Sequence, residues 1–427
     1  MRKFDSPEFK RSRGAYMAQC TVEYFVSLLV TDAFLAKLLS YLGISDSLIG
    51  IISSFITLAF VIQLASILLV KKATNTKALV IALDTASIFF FMLLYFVPFL
   101  SSNQSVRTAL VIICVLLAYV GKYLITSICF KWANSFVAPT SRALFSARKE
   151  MISLLGGMIF TALVGYIIDR FEGLDNLEGA FLFLGIGIFI LNVCNFICLS
   201  MIKKPEEHDE AVSGVSTKVI LKHTIGDKGF RNVILLTVLW DVARYFTIGF
   251  MGIFKTNSLA MSVFLVQMIN IFSNLVRMII SVPAGRYSDK HSFTKGFNIG
   301  LCIAGAAFFI NIFTSNATWF FIIPYTILCG CSTAFTNQNS FNITYSYVDA
   351  KYITQAMAFK NSIGGLFGFG ASLLGSKILS LVQANGNMIF GMPIYGQQLL
   401  SAISFTITVI AVIFVKKVIE KQEVMIQ

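Results

Sequence analysis

Four ionisable side chains lie deep inside otherwise apolar stretches: Glu23, Lys122, Asp241 and Arg244. Each is costly in hydrocarbon and needs a partner, water or a solute beside it. Gln19, Glu23 and Ser27 recur at four-residue spacing and so share one helix face. Tyr119 and Thr126 flank Lys122 on one side, and Thr333, Asn337, Ser340 and Thr344 form a polar stripe. A carboxylate in apolar surroundings suits proton uptake and release, and a neighbouring cation opposes it. A buried Lys or Arg suits capture of an anionic group. Glu23 is the first choice for a coupling carboxylate and Asp241 the second. The same residues admit a structural reading. Glu23 and Lys122, at matched depth, can form an ion pair, and Asp241 and Arg244 can neutralise each other along one helix.

A second tier is less direct. Asp32 follows Glu23 by nine residues, about half a turn round a continuous helix. It is expected to meet a neighbouring helix or the outer mouth. Arg277 is expected to reach the cavity or the inner gate. Asp84 reads as peripheral and structural, and Lys37 as snorkelling to the outer interface.

The elements that must hold these groups are long apolar runs. The first half contains 15–40, 47–70, 78–100, 107–131, 150–169 and 179–202. The second contains 232–254, 258–283, 294–315, 318–344, 356–381 and 396–416. Each covers a hydrocarbon core of about 30 Å at about 1.5 Å per residue. The predicted fold is an all-α membrane protein of 12 transmembrane helices. It comprises an N-terminal bundle 1–202, a linker 203–231 and a C-terminal bundle 232–427. The linker holds Pro205, the acidic run 206–210 and a possible short amphipathic helix around Lys218–Leu221.

Composition agrees. Of the 427 residues 56% are hydrophobic and 13% charged, against about 25% charged in soluble proteins. The net charge of +13 has no soluble basic domain to carry it, which argues against a nucleic-acid partner. The eight cysteines all fall in apolar stretches and read as small helix residues, with no metal or cofactor expected. The basic start, Met1–Arg13, runs into a long span without a cleavage-like site, so an uncleaved first helix is expected.

With the N-terminus inside, the inner loops hold most of the Lys and Arg. These include Arg2, Lys3, Arg13, Lys71, Lys72, Lys77, Arg142, Arg148, Lys149, Lys351 and Lys360. The outer side holds only Arg107, Arg170, Lys255 and Lys377. This bias predicts cytoplasmic N- and C-termini and an even number of spans. Glycines in 364–375, and Gly156, Gly157 and Gly165, predict close helix approach between the halves.

Between the predicted spans 8 and 9 stands Gly285-Arg286-Tyr287-Ser288-Asp289-Lys290. It is similar to the G-x-x-[SA]-D-[RK] signature of the major facilitator superfamily, and the six-plus-six layout resembles that family throughout. After Lys290 the second Gly and basic pair are replaced by Ser292, Phe293 and Thr294, and the loop Lys71–Lys77 has neither Gly nor Asp. Trp132, Val137, Pro139, Arg142, Phe145 and Arg148 resemble a further run in bacterial members. The resemblance implies a cytoplasmic gate at Gly285, Arg286, Asp289, Lys290, Arg142 and Arg148. It also implies that helices 1, 4, 7 and 10 line a central cavity, which would gather Gln19, Glu23, Tyr119, Lys122, Asp241, Arg244 and Asn337.

No G-x-x-x-x-G-K-[ST] loop occurs, and the three histidines, His208, His223 and His291, lie in loops without a zinc-protease motif. An enzyme is therefore not expected. The expected function is a secondary active transporter in a bacterial cell membrane. It would move a small polar solute, with a coupling proton, as a monomer in the lipid bilayer. A drug or metabolite efflux carrier, and a non-transporting receptor on a carrier fold, are the alternatives.

Overall fold

The computed structural model describes residues 6–72, 75–137, 142–203, 226–348, 353–389 and 391–421. The possible amphipathic helix at Lys218–Leu221, most of the linker, and Pro139 fall outside these residues. Eleven helical stretches among the described residues are long and apolar enough to cross a membrane.

The first predicted span, 15–40, is not one helix. It is α1 (Pro7–Leu29) and α2 (Asp32–Tyr41), of 23 and 10 residues. Asp32 takes a positive φ of 46°, a conformation that Asp tolerates better than most residues. The Leu29 carbonyl, freed by the break, accepts a hydrogen bond from the buried Tyr95 hydroxyl at 2.7 Å. The half-turn argument for Asp32 therefore fails, because no continuous helix joins it to Glu23. The next stretch is also interrupted, as α3 (Asp46–Ser53) and α4 (Phe55–Lys72). Then come α5 (Thr76–Leu100), α6 (Gln104–Ser135), α7 (Arg142–Glu172) and α8 (Leu177–Met201).

The seventh predicted span breaks as well, into α9 (Lys228–Tyr245) and α10 (Ile248–Ile253), followed by a π turn at Phe254–Ser258. Ser372 donates to the Tyr245 carbonyl at 3.0 Å. A side-chain hydroxyl thus satisfies the backbone at this break too. The chain continues as α11 (Val263–Lys290), α12 (Phe293–Asn311), α13 (Ile322–Tyr345), α14 (Ile353–Ala384) and α15 (Gly396–Phe414). A two-stranded ribbon, Met388–Ile389 with Met392–Pro393, joins α14 to α15.

The chain divides into two compact units. The first is Met1–Ile44, Ile62–Ala211 and Ser262–Phe264; the second is Ser45–Val61, Val212–Met261 and Leu265–Gln427. In the first, α5 packs against α6 and α8, and α1 against α7 and α8. Its core includes Tyr16, Val80, Ile125, Phe136 and Leu199. In the second, α9 packs on α14 and α15, and α12 on α13 and α15. Val233, Phe297, Leu301, Ile343 and Val415 fill that interior. Ile159, Leu163 and Tyr166 form an exposed apolar stripe along α7, the surface that lipid covers.

The helix ends use the loop cations. Arg13 Nη1 donates to the Phe136 carbonyl at the end of α6, at 3.0 Å. Lys77 Nζ donates to the carbonyls of Ser200 and Ile202 at the end of α8, both at 2.7 Å. Arg107 Nη2 donates to the Pro98 carbonyl at the end of α5, at 3.0 Å. Such carbonyls lack helical partners, and a cation there also meets the negative end of the helix dipole.

Gly365 of α14 meets the Thr57 carbonyl and Phe60 of α4, the expected approach between the two halves of the sequence, while several other glycines serve packing within one half. Gly156 and Gly157 of α7 meet the rings of Phe25 and Tyr24 on α1. Gly364 and Gly368 of α14 meet Asp241 and Tyr245 on α9. Two cations assigned to loops are interior. Lys360 is 1% exposed and Lys255 6%. The gate-like motif is likewise not a loop, because α11 runs through Lys290 and carries Gly285–Lys290 in its last turns.

Candidate functional site

In the first unit, α1, α5, α6 and α8 bring polar groups together. Lys122 Nζ lies 2.9 Å from Glu23 Oε1, and these side chains are 28% and 25% exposed. Gln19, one turn before Glu23, donates its amide to Glu23 Oε2 at 3.1 Å and to Asp84 Oδ2 at 3.4 Å. Asn195 Nδ2 donates to the same Asp84 oxygen at 2.7 Å. Asp84 is 2% exposed and Asn195 0%. Asp84 is therefore interior and joined to Glu23 through Gln19, where the sequence placed it at the periphery.

Local packing explains the meeting. A Cβ at Gly121 would come 3.0 Å from the Leu83 carbonyl, so α6 approaches α5 closely beside Lys122 and Asp84. Ser87 fixes that approach by donating to the Ala118 carbonyl at 2.7 Å. Tyr119 is buried, with its ring edge-on to Phe91 at 5.3 Å. Thr126 donates to the Lys122 carbonyl at 3.0 Å.

The second unit holds another cluster. Arg244 Nη2 lies 3.1 Å from Asp241 Oδ1 and donates to the Tyr245 hydroxyl at 3.0 Å. Its guanidinium stands over the Tyr245 and Trp240 rings, 4.6 and 5.8 Å from their centroids, a cation–π arrangement. The Asp241 carboxylate rests on Gly364. One turn before Gly364, Lys360 Nζ donates to Ser340 Oγ and Thr344 Oγ1, each at 3.1 Å, and to the Ser340 carbonyl at 3.3 Å. Two members of the predicted polar stripe thus solvate a buried ammonium. Asn337, a third, is exposed.

The remaining predicted residues are dispersed. Arg286, Asp289 and Lys290 are exposed, and among the described residues they form no ion pair with one another. The following helix is capped by Ser292, which accepts from the Lys295 amide at 3.1 Å, and not by Asp289. Ser288 is the buried residue of the motif, accepting from Asn339 Nδ2 at 2.9 Å. Gly285 is half-buried and Arg148 exposed. Arg142 begins α7, and its side chain lies outside the described residues. Arg277 is half-buried at the middle of α11, and Asp32 half-buried at the start of α2.

Sequence reading missed Asp84, Asn195 and Lys360. A usable signal for the first two was Asn192 and Asn195 in an otherwise apolar span. Buried amides in hydrocarbon require partners, and span 3 offers Asp84 and the Thr85 carbonyl, which accepts from Asn192 at 3.1 Å.

A profile of the Major Facilitator Superfamily matches residues 16–372. Among solved structures, a mutant of the nucleoside transporter NupG superposes with a TM-score of 0.72. It is 12% identical and covers 95% of this chain and 99% of its own. A POT family transporter, solved with a thioalcohol-conjugated peptide, gives 0.67 at 14% identity, covering 96% of each chain. A bacterial metal transporter gives 0.63 at 13% identity, covering 96% of this chain and 98% of its own. At these identities the likeness is one of fold. No curated protein matches in sequence.

Proposed function

We propose, from the premise that the chain belongs to the Major Facilitator Superfamily, that it is a proton-coupled secondary transporter moving a small polar solute by alternating access. The coarse statement is plain: this is an integral, multi-pass membrane transporter. The finer reading adds twelve spans with both termini cytoplasmic, in a bacterial cell membrane.

The observation that carries the reading is the polar network of the first unit. Glu23 and Lys122 form an ion pair that keeps about a quarter of each side chain open. A fully sealed pair would read as structural, and a fully exposed one as surface charge. An open pair between transmembrane helices can exchange its internal partner for a charged group on a solute. Asp241 with Arg244 offers the second unit the same choice.

The interrupted helices support it. The first predicted span of each half breaks, after Leu29 and after Tyr245, with the freed carbonyl held by a hydroxyl from another helix. Glu23 lies in the helix before the first break, and Asp241 and Arg244 immediately before the second. Discontinuous helices in corresponding positions of two halves are the best sequence-level pointer to a transporter's binding site. The mixed charges favour a zwitterionic or anionic solute over a lipophilic cation.

The test is uptake by proteoliposomes containing the full chain. The panel takes the solute classes named for the structural neighbours, nucleosides, peptides and metal ions, together with amino acids and other organic anions. Accumulation of one class that collapses with a protonophore supports the reading. Accumulation indifferent to the protonophore removes the proton. Proton-driven extrusion selects the efflux alternative. Zero flux for every solute that binds selects a receptor.

A further inference from the structure

We propose that Asp84 is the group that takes up and releases the proton, with Asn195 as its partner in the protonated state; this rests on the coupled-transport reading above and names its site.

The argument begins with an orphan. Asn195 is 0% exposed, and its Oδ1 has no hydrogen-bond donor among the described residues. Its Nδ2 is engaged, donating to Asp84 Oδ2 at 2.7 Å. A buried amide oxygen without a donor is costly. A carboxylate beside it has only lone pairs to offer. A carboxylic acid has one O–H. An acid and an amide close two hydrogen bonds in a ring, amide N–H to carbonyl oxygen and acid O–H to amide oxygen. A proton added to Asp84 Oδ1 supplies the missing donor.

The surroundings select Asp84 over Glu23. Glu23 has both oxygens engaged, one by Lys122 and one by Gln19. Asp84 has two neutral amides and, among the described residues, no cation in ion-pair contact. The ionisable groups around it are Glu23 and Cys20 from α1 and Lys122 and Cys129 from α6. The contact with α8 is the Asn195 amide.

Gln19 couples the two carboxylates, because one amide nitrogen serves both. When Asp84 is neutral, Gln19 turns to Glu23 alone. Glu23 then depends less on Lys122, whose ammonium becomes available to an anionic group of the solute. Proton binding at Asp84 and solute binding at Lys122 thereby favour each other.

The test is infrared difference spectroscopy on the purified full chain in lipid nanodiscs, titrated with acid. The expected result is a carboxylic-acid C=O band that grows on acidification and shifts when aspartate carboxyls carry 13C. It persists in Glu23→Gln and is lost in Asp84→Asn. Asn195→Ala, which removes the partner amide, should move its frequency and midpoint. A titrating band that follows a glutamate label, or that survives Asp84→Asn, overturns the proposal. If Asp84→Asn does not fold, the isotope shift in the unaltered chain and the response to Asn195→Ala decide: an aspartate band unmoved by that change overturns it equally. The broader reading fails separately. An Asp84 band with uptake indifferent to a protonophore keeps the site and removes the coupling. Protonophore-sensitive uptake without an Asp84 band keeps the coupling and removes the site.

Discussion

The Asp241 carboxylate sits directly on Gly364, where a Cβ would lie 2.3 Å from Oδ2. The acid therefore depends on a missing side chain as much as on Arg244. Gly364→Ala should displace Asp241 and cost about 1–3 kcal/mol, the range for overpacking a tight interior. Gly370→Ala, on the same helix with nothing within 4 Å of its Cβ position, should stabilise by about 0.5–1 kcal/mol, since glycine is a poor helix former. Thermal unfolding of both variants in one detergent checks the contrast. Equal effects would mean that the contact with Asp241 is not restrictive.

The Glu23–Lys122 pair predicts non-additivity. Removing one partner from a fully buried pair costs about 3–5 kcal/mol. Here both side chains keep about a quarter of their exposure, so Glu23→Gln or Lys122→Met should each cost on the order of 1–3 kcal/mol. The double variant should recover much of that stability, because no lone charge is left behind. A double variant as unstable as the sum of the singles would rule out the pairing. In transport assays Lys122→Met should weaken solute affinity even where the fold is restored.

Lys360 predicts a different cycle. Its ammonium is solvated by Ser340 and Thr344. Thr344→Val removes one acceptor from a buried charge and should cost about 1.5–3 kcal/mol. In a Lys360→Met background the same change should cost far less. Unfolding of the four proteins gives the coupling, and a coupling near zero would show that Thr344 does not hold the lysine.

The gate motif separates its buried and exposed members. Gly296→Ala would bring a Cβ within 2.1 Å of Ser288 Oγ and 2.6 Å of Asn339 Nδ2, so it should destabilise by about 1–3 kcal/mol. Asp289→Asn, at an exposed position, should change stability by no more than about 0.5 kcal/mol. If the family's latch operates here, Asp289→Asn should still raise the labelling rate of cysteines placed near the inner helix ends. Unchanged labelling would leave Asp289 as solvated charge.

Long apolar runs were readable because lipid imposes a minimum length and bars exposed backbone. The middle of each helix was accordingly clear. The interruptions were not. The break at Leu29 depends on a hydroxyl from Tyr95, sixty-six residues away, and no local signal encodes that. Glu23 with Lys122 was open to inference because equal depth on two spans invites a pair. Asp241 with Arg244 followed from spacing alone. Asp84 escaped because its meaning comes from Asn195 and Gln19 on other helices. Lys360 escaped for a related reason. A lysine seven residues into α14 looks like an interfacial charge until Ser340 and Thr344 are seen to receive it.

Arg13 and Lys77, both assigned to the inner side, have two obligations at once. During insertion each is a charge that resists crossing the bilayer, and in the finished protein each closes the end of a helix. Neutralising one to probe topology would leave terminal carbonyls bare as well, so reduced yield after such a change would not reveal which obligation had failed. Exchanging Arg13 for Lys, or Lys77 for Arg, separates them, because it preserves the charge read by the insertion machinery while altering the reach and geometry of the cap.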